Sequence, residues 1–583
     1  MRRLFGVVVV GALAAGMLTS AASGAGLGDV QVSVGSPTGP FPQNKQNEPA
    51  VAVDANHPLV LAAGSNDEID LGPCGTAGAT AGSPCPFTAG VGVSGIYFSL
   101  DGGKTWTQPT YSGWSARTGT PQVGPIGTLP GYYEAGLVSG GDPALSFGPK
   151  PDGSGHFSWA NGSRLYYANL VANFRSKPNE TFAGAEAIGV SRTDDVAGAA
   201  AGVQGAWMAP VIASKQSSST FSDKVQVWAD NAASSPFFGT AYVCYAQFRS
   251  NGAHRQGNTP APLTVLTSHD GGSTWASNQL VPASTAPANK NGQSGFGLSG
   301  CTVRSDSHGN TYVFAEQFSS SSTLPTHSAQ MMFTSSDGGT HWSKAIPVQQ
   351  VTDPCFVFDP VEGRCVFDGN AGARDDLSAS PSVDIANGAP TGTDATNEIV
   401  DAWSDGAGGI NHEQTLVSTS TDNGGSWTSP AVASAPGDRT EYSAPAIAPD
   451  GTTVYLTYLN FSTPFQTTTA SPRLTNGVFR SATVGTGGTL DGFTTLDTGA
   501  SGDARASSAN SLAFEFLGDY VYAAATRTYG VGVWMDSRNA IDCPAIDTYR
   551  QSLYSTPLPT PFPPTACPPA FGNTDIYAAT TAP

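Results

Sequence analysis

Four carboxylates stand at corresponding places in four similar stretches: Glu48 in "NEPAVAVD", Asp142 in "GDPALSFG", Asp223 in "SDKVQVWAD" and Asp519 in "GDYVYAAA". Each precedes a short run rich in apolar residues. Gathered at one place, oxygen ligands of that density could hold a structural Ca²⁺. Taken singly, each could instead accept backbone N–H bonds within its own repeat. Three arginines precede runs of this kind or their approach, in the last three copies: Arg374 in "GARDDLSASP", Arg439 in "GDRTEYSAP" and Arg505 in "GDARASSANS". Asp375, Asp376, Glu441 and Tyr442 lie beside them. Other chemistries find no support. There is no GxSxG, HExxH or phosphate-binding loop, and the eight histidines are scattered.

Groups so far apart in sequence need a frame, and the frame is a repeat. Each copy opens with a strand-like run, as in 47–54, 141–148, 379–386 and 443–450, with weaker copies at 222–230, 299–306 and 518–525. A second run follows a Gly/Asn/Asp turn, as in "PLVLAAGSND" (58–67) and "TTVYLTYLN" (452–460). A third run ends in a recurring turn: "SLDGGKTW" (99–106), "SHDGGSTW" (268–275), "SSDGGTHW" (335–342) and "STDNGGSW" (420–427). A fourth starts at the tryptophan. Seven copies of such a unit predict an all-β fold, a seven-bladed β-propeller of four-stranded antiparallel blades. Six blades plus an irregular segment is the alternative, because the first run of the third copy matches weakly. The last copy supplies three runs, so the strand at 29–35 is expected to complete it and close the ring, removing an open sheet edge.

The recurring turns match the Asp-box, or BNR repeat, SxDxGxTW. Through them the chain resembles the bacterial sialidase superfamily of secreted propellers. The resemblance implies that Asp101, Asp270, Asp337 and Asp422 are structural, each tying its own turn, on the face away from the active site. It also implies that Arg374, Arg439 and Arg505 hold a substrate carboxylate, since guanidinium forks grip one bidentately. Tyr442 would then be the nucleophile, Glu441 its partner and Asp375 the acid/base. Trp403 and Trp534 are candidates for stacking on sugar rings. The chain departs from the family in lacking an Arg-Ile-Pro signature; "QNEPAV" stands at that place. Glu441 and Tyr442 are also adjacent, and adjacent strand residues face opposite ways. The expected function is a secreted, sialidase-like propeller acting on glycans, an exo-α-sialidase or other glycoside hydrolase. The alternative is a non-catalytic propeller that binds a glycan or a protein.

Composition agrees with an exported chain. Arg2 and Arg3 precede an apolar stretch, Leu4 to Leu18, and small residues follow, so residues 1–25 read as a signal peptide. Residues 26–583 then form one propeller domain, with no membrane span after cleavage. The formal net charge of −19 disfavours nucleic acid and anionic lipid as partners, and the resemblance implies a glycan or glycoprotein. Eight cysteines fall into four near pairs, Cys74/Cys85, Cys244/Cys301, Cys355/Cys365 and Cys543/Cys567, which predicts four disulfides. A monomer is expected, with no required cofactor beyond the Ca²⁺ considered above.

Overall fold

Strands such as Thr440–Ile447 and Gly530–Asp536 are buried at every position. A strand covered on both faces must lie between two other sheets. Seven sheets meet this demand by packing side by side around one axis. The computed structural model describes residues 26–34, 45–74, 84–174, 180–249, 262–281, 297–318, 324–555 and 566–583. The expected signal peptide at 1–25 lies outside them.

The innermost strands, in blade order, are Gln46–Val53, Ala144–Pro151, Thr220–Ala229, Leu298–Ser305, Ser382–Ile385, Thr440–Ile447 and Tyr522–Ala525. Each blade runs outward from its inner strand by antiparallel neighbours. The weak first run of the third copy is a full ten-residue strand, Thr220–Ala229, so the ring has seven blades rather than six. Blade 1 has three strands, and Thr107 bridges Phe98 where a fourth would lie. Blade 7 is composite. Val30–Gln31 pairs with Asp575–Thr580, Val30 opposite Ala578 and Gln31 opposite Tyr577. Nearby, Arg538 Nη1 donates to Asp29 Oδ1 at 2.9 Å and the Gly28 N–H to Asp497 Oδ1 at 3.2 Å.

The four repeated turns share one hydrogen-bond pattern. In the first, Ser99 Oγ donates to Asp101 Oδ1 (2.8 Å) and accepts from the Gly103 N–H (2.8 Å). The Thr105 N–H reaches Asp101 Oδ1 (3.0 Å) and its hydroxyl reaches Oδ2 (2.6 Å). Asp270, Asp337 and Asp422 repeat the scheme, with His341 Nδ1 replacing the hydroxyl at Asp337. In the fourth turn Asn423 takes the left-handed backbone (φ 61°) that glycine supplies elsewhere.

Four disulfides form between near pairs: Cys74 with Cys85, Cys244 with Cys301, Cys355 with Cys365, and Cys543 with Cys567. Three of them brace connections on the rim opposite the repeated turns. Cys85 is buried, and its N–H donates to the Asn510 carbonyl at 3.1 Å, which ties the blade 1 connection to blade 7. Cys567 packs beside it: the Cys74–Cys85 and Cys543–Cys567 bridges share one apolar cluster with Leu512, Ile546 and Phe571. Cys365 sits in the short strand Arg364–Val366 of the blade 4–5 connection. The remaining bridge, Cys244 to Cys301, joins the second strand of blade 3 to the inner strand of blade 4.

Candidate functional site

The inner strands start on the rim opposite the repeated turns, and there the chain kinks. Glu48 (φ 54°), Asp142 (50°), Lys224 (57°), Gly300 (61°) and Tyr442 (46°) take left-handed backbone at equivalent points of blades 1, 2, 3, 4 and 6. In four of these blades the ladder shifts register at the same place, between Asn47 and Ala50, Asp223 and Gln226, Ser299 and Thr302, and Glu441 and Ser443. A bulge frees a residue from the ladder and re-aims its side chain. Left-handed backbone costs a non-glycine residue about 1–2 kcal/mol, and such strain gathers where a side chain has a task.

This geometry corrects the sequence alignment. The kinked residue of blade 3 is Lys224 rather than Asp223, and that of blade 6 is Tyr442. A lysine therefore stands among the four carboxylates. Lys224 Nζ makes a short ion pair with Asp519 and lies 3.9 Å from Asp142 and 4.0 Å from Asp223. Arg374 reaches the same group from the blade 4–5 connection. Its Nε donates to Asp519 Oδ1 at 2.7 Å and its Nη2 to Glu48 Oε1 at 3.2 Å, and its guanidinium lies 4.4 Å from the Phe516 ring centre. Asn66 joins blades 1 and 2: its Nδ2 donates to Glu48 Oε2 (2.8 Å), and its Oδ1 accepts from the Asp142 N–H (2.7 Å).

The charges do not balance. Among the described residues Asp142, Asp223, Asp519 and Glu48 face only Lys224 and Arg374 within ion-pair reach, and Asp376 adds a fifth carboxylate with one further cation, Arg364. Burial, followed by the Glu48 charge, pushes the Asp142 carboxyl well above its ordinary range. Burial also raises Glu48, with Asp519 adding to it. Burial opposes ionisation at Asp519 too, but Arg374 and Lys224 overcome it and hold that carboxyl below the usual range. The cluster thus favours ionisation at Asp519 and opposes it at Glu48 and Asp142. Its positive charge comes from Lys224 and Arg374. Among the described residues no group of three or more His, Cys, Asp or Glu is arranged to hold a metal ion.

The three arginines do not converge. Only Arg374 stands at this mouth. Arg439 is almost wholly buried, bonded through Nε and Nη2 to Glu413 (3.1 Å each), to Asp368 (3.3 Å) and to the Thr463 carbonyl (2.8 Å). Arg505 spends its fork on Asp503 (2.7 Å), Asp547 (2.7 Å) and Asp542 (3.1 Å). Tyr442 is buried, and its hydroxyl donates to the Arg374 carbonyl at 2.8 Å. Burial and then the neighbouring Glu441 push that phenol well above its usual value, the reverse of an activated nucleophile. Glu441 is fully buried, and neither carboxyl oxygen has a hydrogen-bond partner. Burial raises Asp375 to about 8. Trp403 and Trp534, the expected sugar platforms, are 1% and 0% exposed and belong to the core. The cysteines take no part in chemistry here. Cys85, Cys365 and Cys567 are each spent in a disulfide, as are their partners Cys74, Cys355 and Cys543, and none offers a thiol to the mouth.

What reaches solvent at the mouth is a smaller set. Arg374, Asp223 and Asp376 keep 20%, 25% and 30% of their side chains exposed. Asp376 also accepts from Arg364 Nη1 at 2.7 Å. Lys224, Asn66 and Phe516 were not foreseen. A lysine directly after the acid, where blades 1 and 2 carry proline, was the one signal available.

Kinked inner strands, a paired-charge mouth and repeated tied turns belong to an all-β, seven-bladed propeller. No family model matches the chain, and no curated protein matches it. Among solved structures it is similar to a Hadza microbial sialidase, at 13% identity and TM-score 0.36, covering 71% of this chain and 63% of that one. It is similar to a Trypanosoma rangeli sialidase in complex with the inhibitor DANA, at 11% and 0.37, covering 76% and 59%. It is also similar to the intramolecular trans-sialidase of Ruminococcus gnavus, at 12% and 0.37, covering 73% and 92%. The chain thus spans under two thirds of the first two proteins. At these values the likeness assigns no activity.

Proposed function

We propose that this protein is an extracellular glycan-binding propeller that engages sugar hydroxyls at the charged mouth of its channel and does not cleave sialosides. One observation carries the reading: the side chains required for sialidase chemistry are committed inside the fold. Arg439 and Arg505 are saturated by the protein's own carboxylates, and the Tyr442 hydroxyl is bonded to a backbone carbonyl. The groups that remain accessible suit binding. Asp223, Asp376 and Arg374 supply acceptors and donors for neighbouring hydroxyls, and Phe516 supplies an apolar surface beside them. Export agrees with four disulfides, and no helix among the described residues is long and apolar enough to cross a membrane.

The test joins a glycan array to a hydrolysis assay on a fluorogenic sialoside and a panel of other glycosides. Saturable glycan binding without released sugar is expected. Asp223→Asn with Asp376→Asn should weaken it at least tenfold while leaving the melting temperature in place. Sialoside turnover abolished by Tyr442→Phe would restore the catalytic reading.

A further inference from the structure

The other end of the channel is closed. The hairpin between Ser382–Ile385 and Ile399–Asp405 of blade 5 crosses beneath the axis and is held by blades that are not its neighbours. The Pro390 carbonyl accepts from Trp159 Nε1 of blade 2 (3.1 Å) and the Ala233 N–H of blade 3 (2.9 Å). Arg527 of blade 7 donates through Nη2 to the Gly388 carbonyl (2.8 Å) and to Asp394 Oδ1 (2.8 Å). Asn387 Nδ2 donates to Asn231 Oδ1 of blade 3 (2.8 Å). The hairpin therefore floors the channel.

Above this floor lies a cavity of about 440 Å³ walled mainly by apolar side chains, among them Val51, Leu145, Phe147, Ile385 and Ile447. Two polar groups stand out in its wall. Arg304 lies with its guanidinium 4.7 Å from the Trp228 ring centre. Its Nε donates to Asp384 Oδ1 (3.1 Å) and its Nη1 to the Val303 carbonyl (2.9 Å), while Nη2 has no hydrogen bond among the described residues. The Tyr522 hydroxyl is buried without a partner. Burial raises that phenol and the Arg304 charge opposes the rise, which places the two groups within each other's field. A buried hydroxyl left unpaired beside an open guanidinium edge requires an explanation.

We propose that this chamber binds a neutral, largely apolar small molecule carrying one carbonyl acceptor, which takes the free Arg304 N–H and the Tyr522 O–H. The charge decides between classes of ligand. Asp384 already neutralises Arg304, so an anionic ligand would leave a net negative charge in apolar surroundings, which is costly. A neutral carbonyl satisfies both donors and adds no charge. For size, a dry apolar cavity of about 150 Å³ accepts one benzene, so this chamber suits a molecule about two to three times larger. Asp223, Asp376, Arg374 and Phe516, the groups proposed to engage glycan at the mouth, do not line the chamber, so either proposal can fail alone.

Isothermal titration of the mature chain with δ-decalactone and with decanoate tests the assignment. The lactone should bind saturably, at least tenfold tighter than decanoate. Tyr522→Phe should weaken the lactone about three- to tenfold with an unchanged melting temperature. Ala524→Phe, which fills the chamber and keeps both polar groups, should abolish binding. No lactone binding, equal binding of the two probes, or lactone binding indifferent to both substitutions would each overturn the proposal.

Discussion

A guanidinium can only donate, so the acceptors around it decide what it does. By that measure Arg374, Arg439 and Arg505 are three different residues. Arg439 is an internal brace between Glu413 and Asp368, both fully buried at their side chains. Removing one member of such a group leaves the others charged and unpaired, at a cost of about 3–5 kcal/mol. Arg439→Met should lower unfolding free energy in urea by that amount. Tyr442→Phe, which loses one neutral hydrogen bond, should lower it by only about 1 kcal/mol. If Arg439→Met keeps wild-type stability, the brace assignment fails.

The repeated turn and the bulge do opposite jobs at opposite ends of a blade. The turn fastens. Asp270→Ala removes bonds to Ser268, Ser273 and Thr274 and should cost about 1–2 kcal/mol, read as a lower thermal midpoint. The bulge instead directs a side chain. This difference explains what the sequence made legible. Turn chemistry is local and period-two alternation is short-ranged, so the strands, the four turns and the blade count could be read from residue order. Bulge register depends on cross-strand pairing that no single stretch encodes. Lys224 was therefore missed, and Asp223 stood in its place. Trp403 and Trp534 were misread for a related reason: alternation ordinarily marks an exposed face, yet their strands are buried at all seven positions. Glu48 and Asp142 could be placed at the start of their strands, because each precedes a proline there, but what they bind was not legible.

Seven packed sheets bury many carboxyls, and the chain's response to pH follows. Burial raises Glu186 and Asp375 to about 8, Glu362 to about 9 and Asp547 to about 7. The unfolded chain releases these protons near pH 4. Their contribution is therefore complete below about pH 4 and drains away as pH climbs through 7 to 9. Asp519 acts in the opposite sense: its folded value lies below the unfolded one, so its contribution is lost only in strong acid. The thermal midpoint should be higher at pH 5 than at pH 9, and a midpoint that rises towards pH 9 would contradict this account. The ring carries one more consequence, for the order in which the protein is made. Val30 and its partner Ala578 lie more than five hundred residues apart, so the seam that completes blade 7 cannot form until residues 575–580 have been made. A product truncated before residue 575 keeps an unpaired sheet edge and an unanchored leading segment, both open to proteases and to aggregation. The seam therefore serves as a check that synthesis has passed residue 580, since only then can the blade 7 edge be hidden.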